Sequence, residues 1–144
     1  MTYMPDLTVA GQRIARGNWN FTDDTGDTGA YTIFTVTGDV VLEVFGVCNT
    51  TLTGATATIQ LGVTGNTAVL IALTTGTDLL ANEIWHDTTP TTTVEQIANT
   101  TRQFIVTNGQ DAILTIATAA LTAGDIDFYA LWRPLSTDGN VVAA

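Results

Sequence analysis

The chain has 144 residues, 45% of them hydrophobic and 12% charged, with 14 Asp and Glu against four arginines, no lysine and a formal net charge of -10. One His, one Cys and one Ser leave little material for a catalytic triad or a zinc site. So large an acidic excess also opposes binding to nucleic acid or anionic lipid, which takes clustered Lys or Arg. The length suits one domain that buries its own core, and no apolar run approaches the roughly 20 residues of a membrane span.

From the N-terminus, residues 1–29 are polar, Gly-rich and unpatterned, without the charged and apolar regions of a secretory signal. They nevertheless hold Tyr3, Met4, Ile14, Trp19 and Phe21, more apolar material than a solvated tail needs. Asp6 stands against Arg13 and Arg16 in residues 1–20, so this segment is weakly basic on an acidic chain. It reads as an extended arm that orders on a partner, with Arg13, Arg16, Trp19 and Phe21 as the expected contacts.

Beyond it, Thr, Val and Ile fill short runs broken by Gly, Asn and Asp, which is strand-and-turn composition. Strands are expected at Ala30–Thr37, Val40–Cys48, Ala55–Gly62, Thr67–Thr74, Ile84–Asp87, Gln103–Thr107, Ala112–Thr118 and Ile126–Arg133. Gly38-Asp39, Gly65-Asn66 and Asn108-Gly109 are expected to turn hairpins, and Ala123-Gly124-Asp125 to close the last pair. Ile59, Leu61 and Val63 alternate with Thr58, Gln60 and Gly62, which fits one buried face. The runs VVLEVFGV and AVLIAL are apolar on both faces, and a sandwich strand needs only one. Such strands lie mid-sandwich or under another subunit. Between Asp87 and Thr101 a long loop is expected, with a helical turn at Val94 to Ala98. The tail, 136–144, is short and small-residued.

The expected fold is all-β: a single jelly-roll-like β-sandwich over residues 30–135, preferred to an immunoglobulin-like one, with the N-terminal arm at 1–29 and a flexible C-terminal tail at 136–144.

Candidate chemistry is sparse. Ser136 lies in the tail and Cys48 in an apolar strand, where burial quiets a thiol, so neither has a base within evident reach. His86 and Asp87 are neighbours whose side chains would face opposite ways on a strand. Asp23, Asp24 and Asp27 offer oxygen ligands without the spacing of a calcium loop, and read as a solvated acidic turn. Asp125 and Asp127 share a strand face with no second acid to complete a glycosidase pair. Trp19, Trp85 and Trp132 read as core or interface anchors in preference to a sugar platform. No catalytic residue, metal or cofactor is expected.

The run VLEVFGVCNTTLTGATATIQLGVTGNTAVLIALTTGTDLLANEIWHD, followed by AILTIATAALTAGDIDFYALWRPLS, resembles small structural proteins of tailed-bacteriophage virions, most of all capsid decoration or cement proteins. The resemblance spans about Val40 to Ser136 and is one of texture, without an invariant motif. It implies a non-enzymatic protein on the capsid exterior, commonly a homotrimer, that binds the major capsid protein and grips the shell with a terminal arm. On that expectation, deleting residues 1–21 abolishes capsid binding and leaves the β body folded. A tail, baseplate or head-fibre component and a carbohydrate-binding adhesin are the alternatives.

Overall fold

A computed structural model describes residues 11–96 and 103–144. Eleven strands follow in chain order: β1 (Arg13–Asn20), β2 (Gly29–Thr37), β3 (Val40–Thr53), β4 (Thr58–Val63), β5 (Asn66–Thr75), β6 (Glu83–Trp85), β7 (Thr91–Thr92), β8 (Phe104–Val106), β9 (Ala112–Ala117), β10 (Ala123–Pro134) and β11 (Asn140–Ala143). One turn of helix, α1 (Phe21–Asp24), follows β1 directly.

The strands form two antiparallel sheets that enclose one hydrophobic core. The larger runs β1-β10-β3-β6-β7, with β8 also pairing β3, and the smaller runs β11-β2-β9-β4-β5. The chain crosses between sheets at most connections, and the interleaved orders β1-β10-β3-β6 and β2-β9-β4-β5 are those of a jelly roll. The expected all-β sandwich is therefore the observed one.

Alternation sends one face of each strand inward. Ile126, Phe128, Ala130 and Trp132 of β10 meet Val40, Leu42, Val44 and Cys48 of β3 in the core, opposite Ile59 and Leu61 of β4 and Leu114 and Ile116 of β9. On β2 a register shift between Thr32 and Phe34 turns both Ile33 and Phe34 inward. They fill the space above Gly17, where a Cβ would lie 2.8 Å from the Ile33 methyl. Gly17 is the residue that lets β1 approach the opposite sheet this closely.

The segment expected as an arm is part of the body over residues 13–20. β1 pairs with β10 without interruption from Arg13↔Trp132 to Asn20↔Asp125, and Trp19 is fully buried. Its inward positions are Ala15, Gly17 and Trp19, too small on average to register as a hydrophobic stripe; the bulk comes from Ile33 and Phe34 across the core. Residues 1–10 lie outside the described residues. The tail is likewise structured in part, since β11 pairs with β2 and buries Val141.

Of the expected hairpins, the one at Gly65-Asn66 forms, joining β4 to β5 with Gly65 at φ 85°. Asn108 and Gly109 do take positive φ, 57° and 61°, but they connect β8 to β9, which belong to different sheets. The turn at Gly38-Asp39 also joins strands of opposite sheets, whereas Ala123-Gly124-Asp125 lies inside β10 at a register shift against β3, and residues 118–122 make the connection from β9 in the other sheet. Turn chemistry makes the chain reverse, and in a jelly roll the reversal leads to the other layer. Within the expected long loop, β7 pairs with β6, and the helical turn at Val94 to Ala98 extends outside the described residues.

Candidate functional site

The chemistry-bearing side chains converge on the outer face of the larger sheet. Register fixes three rows across β1, β10 and β3: Ile14, Leu131 and Glu43; then Arg16, Tyr129 and Phe45; then Asn18, Asp127 and Val47. Beyond the first row lie Arg133 and Val41, with Ile105 of β8 beside them. The two-sided apolar pattern of VVLEVFGV is thus accounted for: Val40, Leu42 and Val44 face the core, while Val41, Phe45 and Val47 face outward and are half-buried. AVLIAL takes another course, as β5 at the edge of the smaller sheet with Leu73 exposed.

At the centre of the face the Phe45 and Tyr129 rings stack with centroids 5.4 Å apart. Arg16 lies over Tyr129 and donates to Asp127 at 2.7 Å. Asn18 Nδ2 donates to Asp125 at 2.7 Å and Asp127 at 2.9 Å, and Asn20 Nδ2 donates in turn to Asn18 Oδ1 and Asp23, both at 3.0 Å. Burial alone would raise the Asp127 carboxyl, but hydrogen bonds from Asn49, Arg16 and Asn18 outweigh it and hold the group below its ordinary range. Glu43, a carboxylate on a largely apolar row, accepts from Gln103 at 2.6 Å.

The four expected contact residues separate. Arg13 and Arg16 are both exposed on β1, but each guanidinium folds back onto β10, Arg13 over the Trp132 ring at 5.2 Å and Arg16 onto Asp127. Trp19 points into the core and pins β1 there. Phe21 starts α1 and is 39% exposed.

The other candidates are committed locally. Asn20 caps α1 by accepting from Asp23 N–H at 3.0 Å while its own N–H donates to Asp24 at 3.0 Å. Asp27 accepts weakly from Thr25 at 3.4 Å. Among the described residues no group of three His, Cys, Asp or Glu is placed to hold a metal ion. Ser136 donates to Asp138 at 2.6 Å and accepts from Asp39 N–H at 2.9 Å, beside an open depression of about 440 Å³. His86 and Asp87 do come together, Nδ1 to Oδ2 at 3.5 Å, because β6 ends at Trp85 and strand alternation ends with it; Glu95 stands 3.6 Å from Nε2. Trp19, Trp85 and Trp132 are all buried, which leaves no tryptophan platform for a sugar.

No protein-family model and no curated protein matches this chain. Solved structures do. A chain in the cyanophage Pam1 capsid asymmetric unit superposes with a TM-score of 0.57 at 18% identity, covering 85% of this chain and 84% of that one. A chain in the acid-stable capsid of Helicobacter pylori bacteriophage KHP30 superposes with a TM-score of 0.53 at 11% identity, covering 91% and 92%. The fold is one found in phage capsids.

Sequence reasoning left Tyr129, Phe45, Arg133 and Ile105 unassigned as members of one surface. The usable signal was the excess apolar face of VVLEVFGV, which marks an outward stripe on a central strand but does not say which strands flank it.

Proposed function

We propose that this protein is a non-enzymatic structural component of a tailed-phage virion, a decoration protein that sits on the capsid exterior, binds the major capsid protein and strengthens the shell. The observation that carries this reading is the fold shared, along nearly the whole chain, with chains of two phage capsid assemblies. The surface chemistry is consistent with it. Ile14, Val41, Phe45, Val47, Ile105, Tyr129 and Leu131 gather on the outer face of the larger sheet, polar groups there are hydrogen-bonded to each other, and a decoration protein needs surfaces more than reactive groups. Binding would be multivalent, with each weak contact strengthened once an oligomer is docked. Arg13, Arg16 and Phe21 act in this reading from the β1 edge of the body, and Trp19 acts by holding β1 in place.

The test is the amount of this protein relative to the major capsid protein in gradient-purified virions, measured by mass spectrometry. A ratio approaching one copy per capsid subunit is expected. A few copies per particle would move the protein to the tail, baseplate or a head fibre, and absence would discard a virion role.

A further inference from the structure

From Asp87 to Gln96 no residue is buried: the segment leaves β6, carries the two-residue strand β7 and closes the edge of the larger sheet, where Thr92 and Thr91 pair with Glu83 and Ile84. With so little apolar burial of its own, it depends on polar contacts. Thr74 Oγ1 donates to the Asp87 carbonyl oxygen at 3.3 Å, Thr89 N–H donates to Asp87 Oδ1 at 2.7 Å, and Thr91 donates to Glu95 at 2.5 Å.

Both ends of the segment meet on one side chain. The His86 ring, 7% exposed, has Asp87 Oδ2 at 3.5 Å from Nδ1 and Glu95 Oε2 at 3.6 Å from Nε2. Among the described residues these are the charged groups within ion-pair reach of the ring; Glu83 of β6 instead accepts from Leu80 N–H at 2.8 Å. Neither contact is short enough for a firm hydrogen bond, so the charge on the ring decides what each is worth. A neutral imidazole carries one N–H and one lone pair, and here the lone pair faces a carboxylate whichever tautomer forms. An imidazolium presents an N–H to both. The hydrogen bond from Thr91, and behind it the charge of His86, outweigh burial and hold the Glu95 carboxyl below its ordinary range, so Glu95 stays ionised where an imidazole takes up its proton.

We propose that His86 is a proton-operated latch: as an imidazolium it bridges Asp87 and Glu95 and fastens the β7 segment along the edge of β6, and as a neutral ring it repels one of the two carboxylates and lets the segment lift. The closed state is favoured in mild acid, between the ordinary carboxylate and histidine ranges at about 4 and about 6.5. At higher pH, lifting β7 bares the backbone groups of Glu83–Trp85, an unpaired strand edge of the kind to which other chains add a strand. The latch is a property of the isolated protein and is independent of any role in a virion.

The experiment uses the full chain and NMR. His86 is the only histidine, so a single ring Cε1–H resonance follows its protonation, while amide protection factors follow the pairing of β6 with β7. Protection of the amides in Glu83–Trp85 and Thr91–Thr92 is expected to fall about two- to fivefold from about pH 5 to about pH 8, in step with the ring titration and without a matching change in β3 and β10. His86→Gln should abolish this pH dependence, and Glu95→Gln should reduce it while the ring still titrates. Wild-type protection that does not follow the ring titration would overturn the proposal. So would a Glu95→Gln variant with the full wild-type pH dependence, a readout that stands even where His86→Gln does not fold.

Discussion

Trp85 of β6 donates its indole N–H to Thr74 Oγ1 of β5 at 2.9 Å, a hydrogen bond that crosses from one sheet to the other through the core. Thr74 is itself 2% exposed, and its hydroxyl donates a hydrogen bond to the Ala72 carbonyl oxygen at 3.0 Å. Replacing Thr74 by Val keeps the shape but strands the Trp85 N–H in an apolar environment. A loss of about 1–3 kcal/mol is expected by urea denaturation, and Thr74→Ser should recover most of it.

Gly17→Ala tests the close approach of β1 to the opposite sheet. The added methyl meets the Ile33 methyl at 2.8 Å and the Ile33 carbonyl oxygen at 2.9 Å, and the backbone contact cannot rotate away. Stability should fall by about 1–3 kcal/mol, as for other overpacked cores. A melting temperature equal to wild type would show that β1 shifts freely.

Truncation separates the arm expected from the sequence from the strand found in the structure. A chain beginning at Gly11 retains β1 and should melt cooperatively. Deleting residues 1–21 removes Trp19 and uncovers one side of β10; losing a buried tryptophan alone costs about 3–5 kcal/mol. That deletion should abolish cooperative unfolding, where the arm expectation had the body stay folded.

Asp127 links stability to acid. Its carboxyl is held below the ordinary range in the folded protein, so its stabilisation is fully present above the unfolded value, about 3.9, and is lost as pH falls through the folded one. Asp127→Asn should therefore be less stable than wild type at neutral pH and approach it below about pH 4. A difference in urea midpoint that stays constant with pH would contradict this.

Cys48 should be inert in the folded state. Burial first, and then the charges of Asp125 and Glu83, push its thiol up to about 12, and its sulfur lies against the Thr50 carbonyl oxygen at 3.1 Å. Modification by an aromatic disulfide reagent should proceed only as fast as the protein unfolds, and immediately in denaturant. Rapid labelling in buffer would place the thiol at the surface.

The sequence alone determined the fold class and most of the strands, because alternation in segments such as Ile126–Trp132 and Ile59–Val63 is a local property that burial of one face imposes. It also located the surplus apolar face of β3, since Val41, Phe45 and Val47 interleave with core residues on the same strand. It could not place β1, whose inward Ala15 and Gly17 are small because Ile33 and Phe34, distant in sequence, occupy the volume they leave. Nor could it say that the turns at Gly38-Asp39 and Asn108-Gly109 were crossings between sheets, since a Gly-Asp or Asn-Gly turn has the same local chemistry either way, or that Ala123-Gly124-Asp125 lies within a strand. Which side chains share the outer face was decided by the antiparallel register of β1 on β10, a pairing between segments more than a hundred residues apart.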